Sequence, residues 1–148
     1  MSVPKQISIY YPDKGVGRIF AEVLRRDRLD RYLVGYRSVE NQTSVDYVAE
    51  QILAENPLLV FLGVNFGGRL TDNTQGLEVL AKIREEKSDV HAVIIADELS
   101  NTLRLKAREA GGGANGYIDL PVSIDVIKEC ARKMTSPQTL KEFLVWPK

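Results

Sequence analysis

The run LLVFL at residues 58–62, followed by GVNFGG at residues 63–68, decides the fold of this chain. Five consecutive large apolar residues between an Asn-Pro pair and a glycine-rich turn are typical of a strand that is buried on both faces. Two further runs, ISIY at 7–10 and AVIIA at 92–96, have the same character. Because segments with helical periodicity separate these runs, the sequence predicts a parallel sheet covered by helices on both sides. In such sheets, functional sites form at the carboxyl ends of the strands.

The other segments complete five β–α units. Strands are predicted at 6–11, 32–36, 58–62, 92–96 and 116–120, and helices begin after Asp13, Thr43 or Ser44, residue 75, Ser100 or Asn101, and Ser123. The arrangement predicts a flavodoxin-like, three-layer α/β/α fold with a doubly wound, five-stranded parallel sheet in the order 2-1-3-4-5. Residues 1–134 form the predicted domain. Residues 135–148 form a polar tail, ending in apolar residues, that docks on the domain, binds a partner or links to a further segment.

Composition excludes several classes of protein. The chain has 148 residues and a net charge of zero, from 20 basic and 20 acidic residues, so it lacks the basic excess typical of nucleic-acid-binding proteins. No apolar run approaches the ~18 residues of a membrane span, and the N-terminus does not resemble a secretory signal. The single cysteine, Cys130, cannot form an internal disulfide, which suits a reducing compartment. We therefore expect a cytoplasmic protein without nucleic-acid or membrane partners.

The polar residues near the strand ends do not match a known catalytic or metal-binding pattern. The only histidine, His91, precedes the fourth strand, and no acid and nucleophile are spaced to form a triad with it. Asp97 and Glu98 form a candidate metal-binding pair, but only Asp13 could join them from a neighbouring strand end, so we interpret these residues as a polar loop and an N-cap. We expect no enzymatic activity, no metal and no cofactor.

The order of elements, closed by GYIDLPV at 116–122, resembles the receiver domain of bacterial response regulators over about residues 5–134. In that family the first strand ends in a pair of acids that bind Mg²⁺, and the third ends in the aspartate that is phosphorylated. The fourth strand ends in Thr or Ser, and the fifth ends in Lys followed by proline. The corresponding residues of this chain, in the same order, are Tyr11 and Pro12 with Asp13 just beyond, Gly63, Ala96, and Leu120 before Pro121.

These residue types are unsuited to phosphoryl transfer. Gly63 has no nucleophilic oxygen, and Tyr11 and Pro12 offer no carboxylate to Mg²⁺. Ala96 and Leu120 supply neither the hydroxyl nor the cation that would stabilise the developing charge. The resemblance therefore implies a pseudo-receiver, in which these positions line a degenerate phosphoacceptor pocket. It also implies a cis peptide bond before the proline that follows the fifth strand.

The leading hypothesis is an atypical response-regulator receiver that signals through protein–protein interaction without phosphorylation. In the family the interaction face comprises the fourth helix, the fifth strand and the fifth helix. On this chain that face would carry mixed charges around one aromatic residue, which suits a polar interface with another protein or with a second copy. The residues concerned are Arg104, Arg108, Tyr117, Asp119, Lys128 and Arg132.

Two alternatives stay open. The first is a divergent but phosphorylatable receiver, whose off-register phosphoacceptor would be Asp13, Asp72 or Asp97. The second is a small-ligand-binding flavodoxin-like domain, in which glycine N–H groups would meet an anion in an apolar pocket. That pocket would be lined by Tyr11, Gly63, Gly67, Gly68 and Ala96.

Overall fold

The structure is a computed structural model that describes residues 5–27, 32–40, 43–64, 66, 74–86, 88–96, 106–108, 113–135 and 144–146. Its strands are β1 (Lys5–Tyr11), β2 (Tyr32–Ser38), β3 (Leu59–Gly63), β4 (His91–Ala96), β5 (Gly116–Asp119) and β6 (Leu144–Trp146). Its helices are α1 (Lys14–Asp27), α2 (Val45–Glu55), α3 (Gln75–Glu85) and Ile124–Met134, which we call the C-terminal helix. Of the predicted fourth helix only residues 106–108 are described, and these are helical.

The sheet confirms the predicted fold class and extends it by one strand. Its order is β2-β1-β3-β4-β5-β6 with every pair parallel, so the predicted order 2-1-3-4-5 holds for the first five strands. The prediction of five strands was one too few, because Leu144–Trp146 pairs with β5, placing Leu144 opposite Gly116 and Trp146 opposite Ile118. Of the three alternatives for the tail, docking on the domain is the one that these residues adopt.

The sheet separates two apolar cores, which explains the uninterrupted apolar run of β3. Val60 and Leu62 face the core that includes α2 and α3, whereas Leu59 and Phe61 face the core that includes α1 and the C-terminal helix. On that second face the Phe61 ring packs edge-on against Phe20 of α1, with ring centroids 5.7 Å apart and planes at 71°. All five residues of β3 are buried, as a central strand with helices on both faces requires.

Side-chain caps fix where the helices begin. Ser44 and Ser123 each accept a hydrogen bond from a backbone N–H in the first turn of the following helix. Asp13 does the same for α1, because its Oδ1 accepts from the backbone N–H groups of Gly15 at 2.8 Å and Val16 at 3.2 Å. The predicted caps Asp13, Ser44 and Ser123 are thus confirmed, whereas Ser100 and Asn101 lie outside the described residues. No helix in the described part of the chain is long and apolar enough to cross a membrane.

Arg84 of α3 ties together two connections at the amino-terminal edge of the sheet. Its Nη1 donates to the carbonyl oxygens of Ser88 at 2.9 Å and Val90 at 2.7 Å. Its Nε donates to the Gly113 carbonyl at 3.1 Å, and its Nη2 donates to Asn115 Oδ1 at 3.1 Å. Burial lowers the pKa of the guanidinium. One side chain therefore joins the connection after α3 to the segment that precedes β5.

A buried tyrosine and a glutamate hold α2 against the sheet. The Tyr10 hydroxyl, on β1, donates to Glu55 Oε1 at 2.5 Å, and Gln6 Nε2 donates to Glu55 Oε2 at the same distance. Arg37 of β2 completes the group, with its Nε 3.8 Å from Glu55 Oε1. Burial, followed by the hydrogen bond to Glu55, raises the pKa of Tyr10 above its ordinary value.

Candidate functional site

The residues of the predicted degenerate pocket lie together at the carboxyl edge of the sheet. Strands β1, β3 and β4 end at Tyr11, Gly63 and Ala96. Tyr10 is opposite Leu62, so Tyr11 is level with Gly63, and Ala96 is opposite Asp119 at the end of β5. Leu120 follows Asp119 directly. Gly67 and Gly68, proposed as further lining residues, lie outside the described part of the chain, as do Asp72 and Asp97.

The end of β1 presents no carboxylate at the level of Gly63. Tyr11 is buried, and its carbonyl oxygen accepts hydrogen bonds from the Tyr36 hydroxyl at 3.0 Å and from the Val39 N–H at 3.4 Å. Pro12 is half-buried, and Asp13 is exposed with its carboxylate engaged as the cap of α1. The acid that follows β1 therefore already has a structural role.

Helix α3 begins directly against Gly63. A Cβ atom on Gly76, in the first turn of that helix, would lie 1.9 Å from the Gly63 carbonyl oxygen, which is far inside van der Waals contact. Gly76 also donates its N–H to the Val64 carbonyl at 3.1 Å, and Val64 donates to Ile95 of β4 at 2.8 Å. The predicted phosphoacceptor position thus lies beneath a closely packed helix N-terminus.

The ends of β4 and β5 are apolar apart from one buried acid. Leu120 donates its N–H to the Ala96 carbonyl at 2.8 Å, and its half-buried side chain packs against the core that includes α1. The Leu120–Pro121 peptide bond is cis, as the resemblance implies. Asp119 is only 5% exposed, so a carboxylate does lie at this edge, one residue before the position at which the family has lysine.

Asp119 and Tyr117 require a correction. Both were expected on an exposed partner-binding face, but Tyr117 is 0% exposed and Asp119 is 5% exposed. β6 pairs with β5 over residues 116–118 and makes it an interior strand, and Tyr117 lies in the core that includes α2 and α3. A residue on β5 is therefore not available to a partner while β6 is in place.

The cations predicted for the same face are distributed differently. Arg108 and Arg132 are exposed, whereas Lys128 is half-buried; Arg104 lies outside the described residues. Arg132 donates from Nη2 to Asp27 Oδ1 at 2.8 Å, which joins the C-terminal helix to the end of α1. Its guanidinium is thus directed toward α1.

Two other side chains of reactive types, His91 and Cys130, contribute to packing and hydrogen bonding of the fold. His91 Nδ1 lies 2.5 Å from the Met134 carbonyl oxygen, so the ring fastens the start of β4 to the C-terminal helix. Cys130 is buried, which raises the pKa of its thiol and disfavours the nucleophilic thiolate. Within the described ranges, no three His, Cys, Asp or Glu side chains converge on a possible metal position.

Two of the cavities, both lined by described residues, lie away from the carboxyl edge of the sheet. The larger, about 580 Å³, is at the amino-terminal edge, where Lys5, Glu55 and His91 contribute to its lining. The smaller, about 380 Å³, lies between α1 and Tyr36. Neither includes Tyr11, Gly63 or Ala96.

Comparison with known proteins relates this arrangement to one group of structures. No protein-family model and no curated protein matches the chain. A LuxR-family DNA-binding response regulator from Staphylococcus aureus is 19% identical, with a TM-score of 0.68 over 89% of this chain and 99% of that one. A CheY-like receiver domain protein from Methanospirillum hungatei is 18% identical, with a TM-score of 0.65 over 89% and 94%. The orphan response regulator HP1043 of H. pylori is 16% identical, with a TM-score of 0.67 over 89% and 97%.

At these identities the likeness concerns the fold. The strand order, with its reversal between β1 and β3, agrees with that likeness. The structural neighbours of this chain are response-regulator receiver domains of the CheY-like type, and the described part of the chain has their fold.

Proposed function

We propose that this chain is a signal-transduction module that uses the receiver fold without phosphorylation and acts by binding another protein. The observation that carries the proposal is the set of residue types at the carboxyl edge. The positions that would hold the phosphoacceptor, the hydroxyl and the cation are occupied by Gly63, Ala96 and Leu120. A phosphoryl group needs a nucleophilic oxygen, and the glycine side chain offers none.

The packing at this edge also supports the proposal. A phosphorylated side chain and its Mg²⁺ need space and oxygen ligands. Gly63 is buried beneath α3, and the carboxylate of Asp13 is committed to capping α1. A module of this kind would be a binding protein rather than an enzyme, regulated through its partners.

The decisive test uses beryllium fluoride, which mimics an aspartyl phosphate when Mg²⁺ is present. A ligand at 100 times its Kd stabilises a protein by about 2.7 kcal/mol. For a domain of this size that free energy corresponds to a rise in melting temperature of roughly 5–10 °C. We expect no rise when Mg²⁺ and beryllium fluoride are added together.

A positive control and a second readout make the test specific. The DrrB receiver domain, whose structure is that of the BeF₃-activated form, should show the rise under the same conditions. Intact mass after incubation with acetyl phosphate and Mg²⁺ should show no added phosphoryl group on this chain. A melting-temperature rise that needs both reagents, or a phosphoryl adduct, would contradict the proposal and favour a divergent phosphorylatable receiver.

The partner-binding surface is proposed to include the exposed Arg108. Replacing it by glutamate reverses a charge that no core contact requires, so folding should be unaffected while binding to a protein partner weakens. Lys128→Glu, at a half-buried position of the C-terminal helix, provides a second variant on the opposite face of the sheet. If both variants leave every measurable association of the chain unchanged, this surface is not the interface.

A further inference from the structure

In the described part of the chain, the outer edge of β5 is covered by the three residues Leu144–Trp146. Leu144 donates its N–H to the Asn115 carbonyl at 3.1 Å, and the strand then runs parallel to β5 as far as Trp146. Val145 packs against the core that includes α2 and α3, and Trp146 belongs to the opposite core. This short strand therefore places side chains in both cores at once.

A notch in β5 receives the tryptophan. A Cβ atom on Gly116 would lie 2.9 Å from Cζ3 of Trp146 and 3.0 Å from Cε of Met134, closer than Cβ contacts in proteins normally come. Glycine at this position thus makes room for a large aromatic side chain from a neighbouring strand. Trp146 fills that room and is 1% exposed.

The fit of Trp146 is incomplete at one atom. Its indole N–H is buried, and none of the residues that the structure describes offers it a hydrogen-bond acceptor. A buried donor without a partner weakens the docked state, and a three-residue ladder contributes few hydrogen bonds to offset that loss. A longer strand carrying phenylalanine at the same place would fill the notch without burying a donor.

We propose that the outer edge of β5 is a binding site for an extended strand of a partner protein that carries a large aromatic side chain at the Gly116 notch. Leu144–Trp146 occupies this site as an intramolecular competitor. Binding by strand addition draws affinity from main-chain hydrogen bonds and specificity from side-chain pockets, and both are present here. The inference rests on the proposed function, because it names the surface and the regulation of the same protein-binding module.

A peptide from the chain itself is a suitable probe. Trp146 is the only tryptophan, and Trp146→Ala in the full chain removes the side chain that fills the notch. A dye-labelled peptide spanning residues 141–148 should bind this variant saturably in fluorescence anisotropy. The wild-type chain should bind it at least tenfold more weakly, because its own strand competes. The same peptide with alanine in place of tryptophan should not bind.

A second substitution closes the site. Gly116→Val added to Trp146→Ala should abolish peptide binding, since the valine side chain occupies the notch. Equal binding of the peptide by the two variants, or no binding by either, would overturn the proposal. A concentration-dependent dimer of the wild-type chain that Trp146→Ala abolishes would overturn the choice of a foreign partner, because a second copy would then be the occupant.

The wild-type chain provides a test that does not depend on folding of the variants. Tryptophan fluorescence reports the docking of Trp146, and far-UV circular dichroism reports the whole fold. In a urea titration the fluorescence should change at a lower urea concentration than the dichroism does. Coincident transitions would overturn the proposal. Neither test uses Mg²⁺ or beryllium fluoride, so a melting-temperature rise with those reagents would refute the proposed function while leaving this result unaffected.

Discussion

Replacing Arg84 with lysine should destabilise the fold although the charge is kept. The guanidinium makes four hydrogen bonds at 2.7–3.1 Å, to three carbonyl oxygens and to Asn115 Oδ1. These acceptors lie on the connection after α3 and on the segment that precedes β5. The planar guanidinium group reaches all four of them at once. A lysine ammonium is a compact donor on a flexible stem, so it cannot donate to all four acceptors in the same way.

The magnitude follows from the acceptors that are lost. One ammonium position satisfies two of the four acceptors, so two lose a charged donor. A hydrogen bond to a charged group contributes about 1.5–3 kcal/mol, and access of water to this half-buried site reduces the loss. We expect Arg84→Lys to lower the free energy of unfolding by about 3 kcal/mol. For a chain of this length the melting temperature should fall by roughly 6–12 °C.

Urea denaturation followed by circular dichroism measures the change, with Arg26→Lys as the matched control. The Arg26 side chain is 83% exposed, and its nearest acid is Glu22 at 3.8 Å. That substitution should alter the free energy of unfolding by less than about 0.5 kcal/mol. If Arg84→Lys unfolds at the same urea concentration as the control, the four hydrogen bonds of the guanidinium do not stabilise the fold as argued.

Three further substitutions test contacts near the site. Gly76→Ala should lower the free energy of unfolding by about 2–3 kcal/mol, because its Cβ would meet the Gly63 carbonyl oxygen at 1.9 Å. Tyr10→Phe should cost about 1–2 kcal/mol at pH 7 by removing the hydrogen bond to Glu55. Because burial raises the pKa of Tyr10 above the unfolded value of about 10, wild-type stability should fall as pH rises beyond about 10, and the Phe variant should lose less. Asp13→Ala should cost about 1 kcal/mol by removing the cap of α1.

Two of these substitutions have a control variant, and the third is compared with the wild-type chain. A Cβ atom on Gly35 would lie 3.7 Å from its nearest neighbour, Gln6 Nε2, which is an ordinary contact. Gly35→Ala should therefore leave the free energy of unfolding unchanged or raise it slightly. Asp13→Asn keeps a capping oxygen and should leave the melting temperature unchanged. The pH dependence is refuted if wild type and Tyr10→Phe lose stability in parallel between about pH 10 and pH 11. Calorimetry at a series of pH values measures all of these effects.

The sequence predicts the interior of the sheet well because burial on both faces leaves a clear mark. The apolar runs that became β3 and β4 have lengths and boundaries that few other structures produce. The serine caps and the breaks before α2 and the C-terminal helix are equally local, since a cap depends on residues three or four positions apart. These elements agree with the prediction to within a residue or two.

The outer edge of the sheet could not be predicted in the same way. Leu144–Trp146 is too short to show the alternation of apolar and polar residues that marks a strand. Its pairing with β5 also depends on residues almost thirty positions earlier in the chain. Tyr117, which is opposite Val145 in that pairing, and Asp119 are both buried, so their assignment to an exposed face was wrong. The close approach of Gly76 to Gly63 could not be predicted either. A glycine in a sequence indicates a turn as readily as it indicates a close backbone contact. The pocket residues came from the family resemblance, and their role stays a prediction.

The strand order bears on how the chain is made. From β4 onward each strand pairs beside the one synthesised before it, so the sheet grows in a single direction as the chain leaves the ribosome. Until the next strand emerges, the newest of β3, β4 and β5 forms an apolar outer edge, which is the kind of edge that joins other chains during aggregation. The arrival of β6 replaces that edge with a strand of three residues, and short edge strands protect natural sheets. The pairing of β6 with β5 therefore marks the point in synthesis at which the outer edge of β5 is covered.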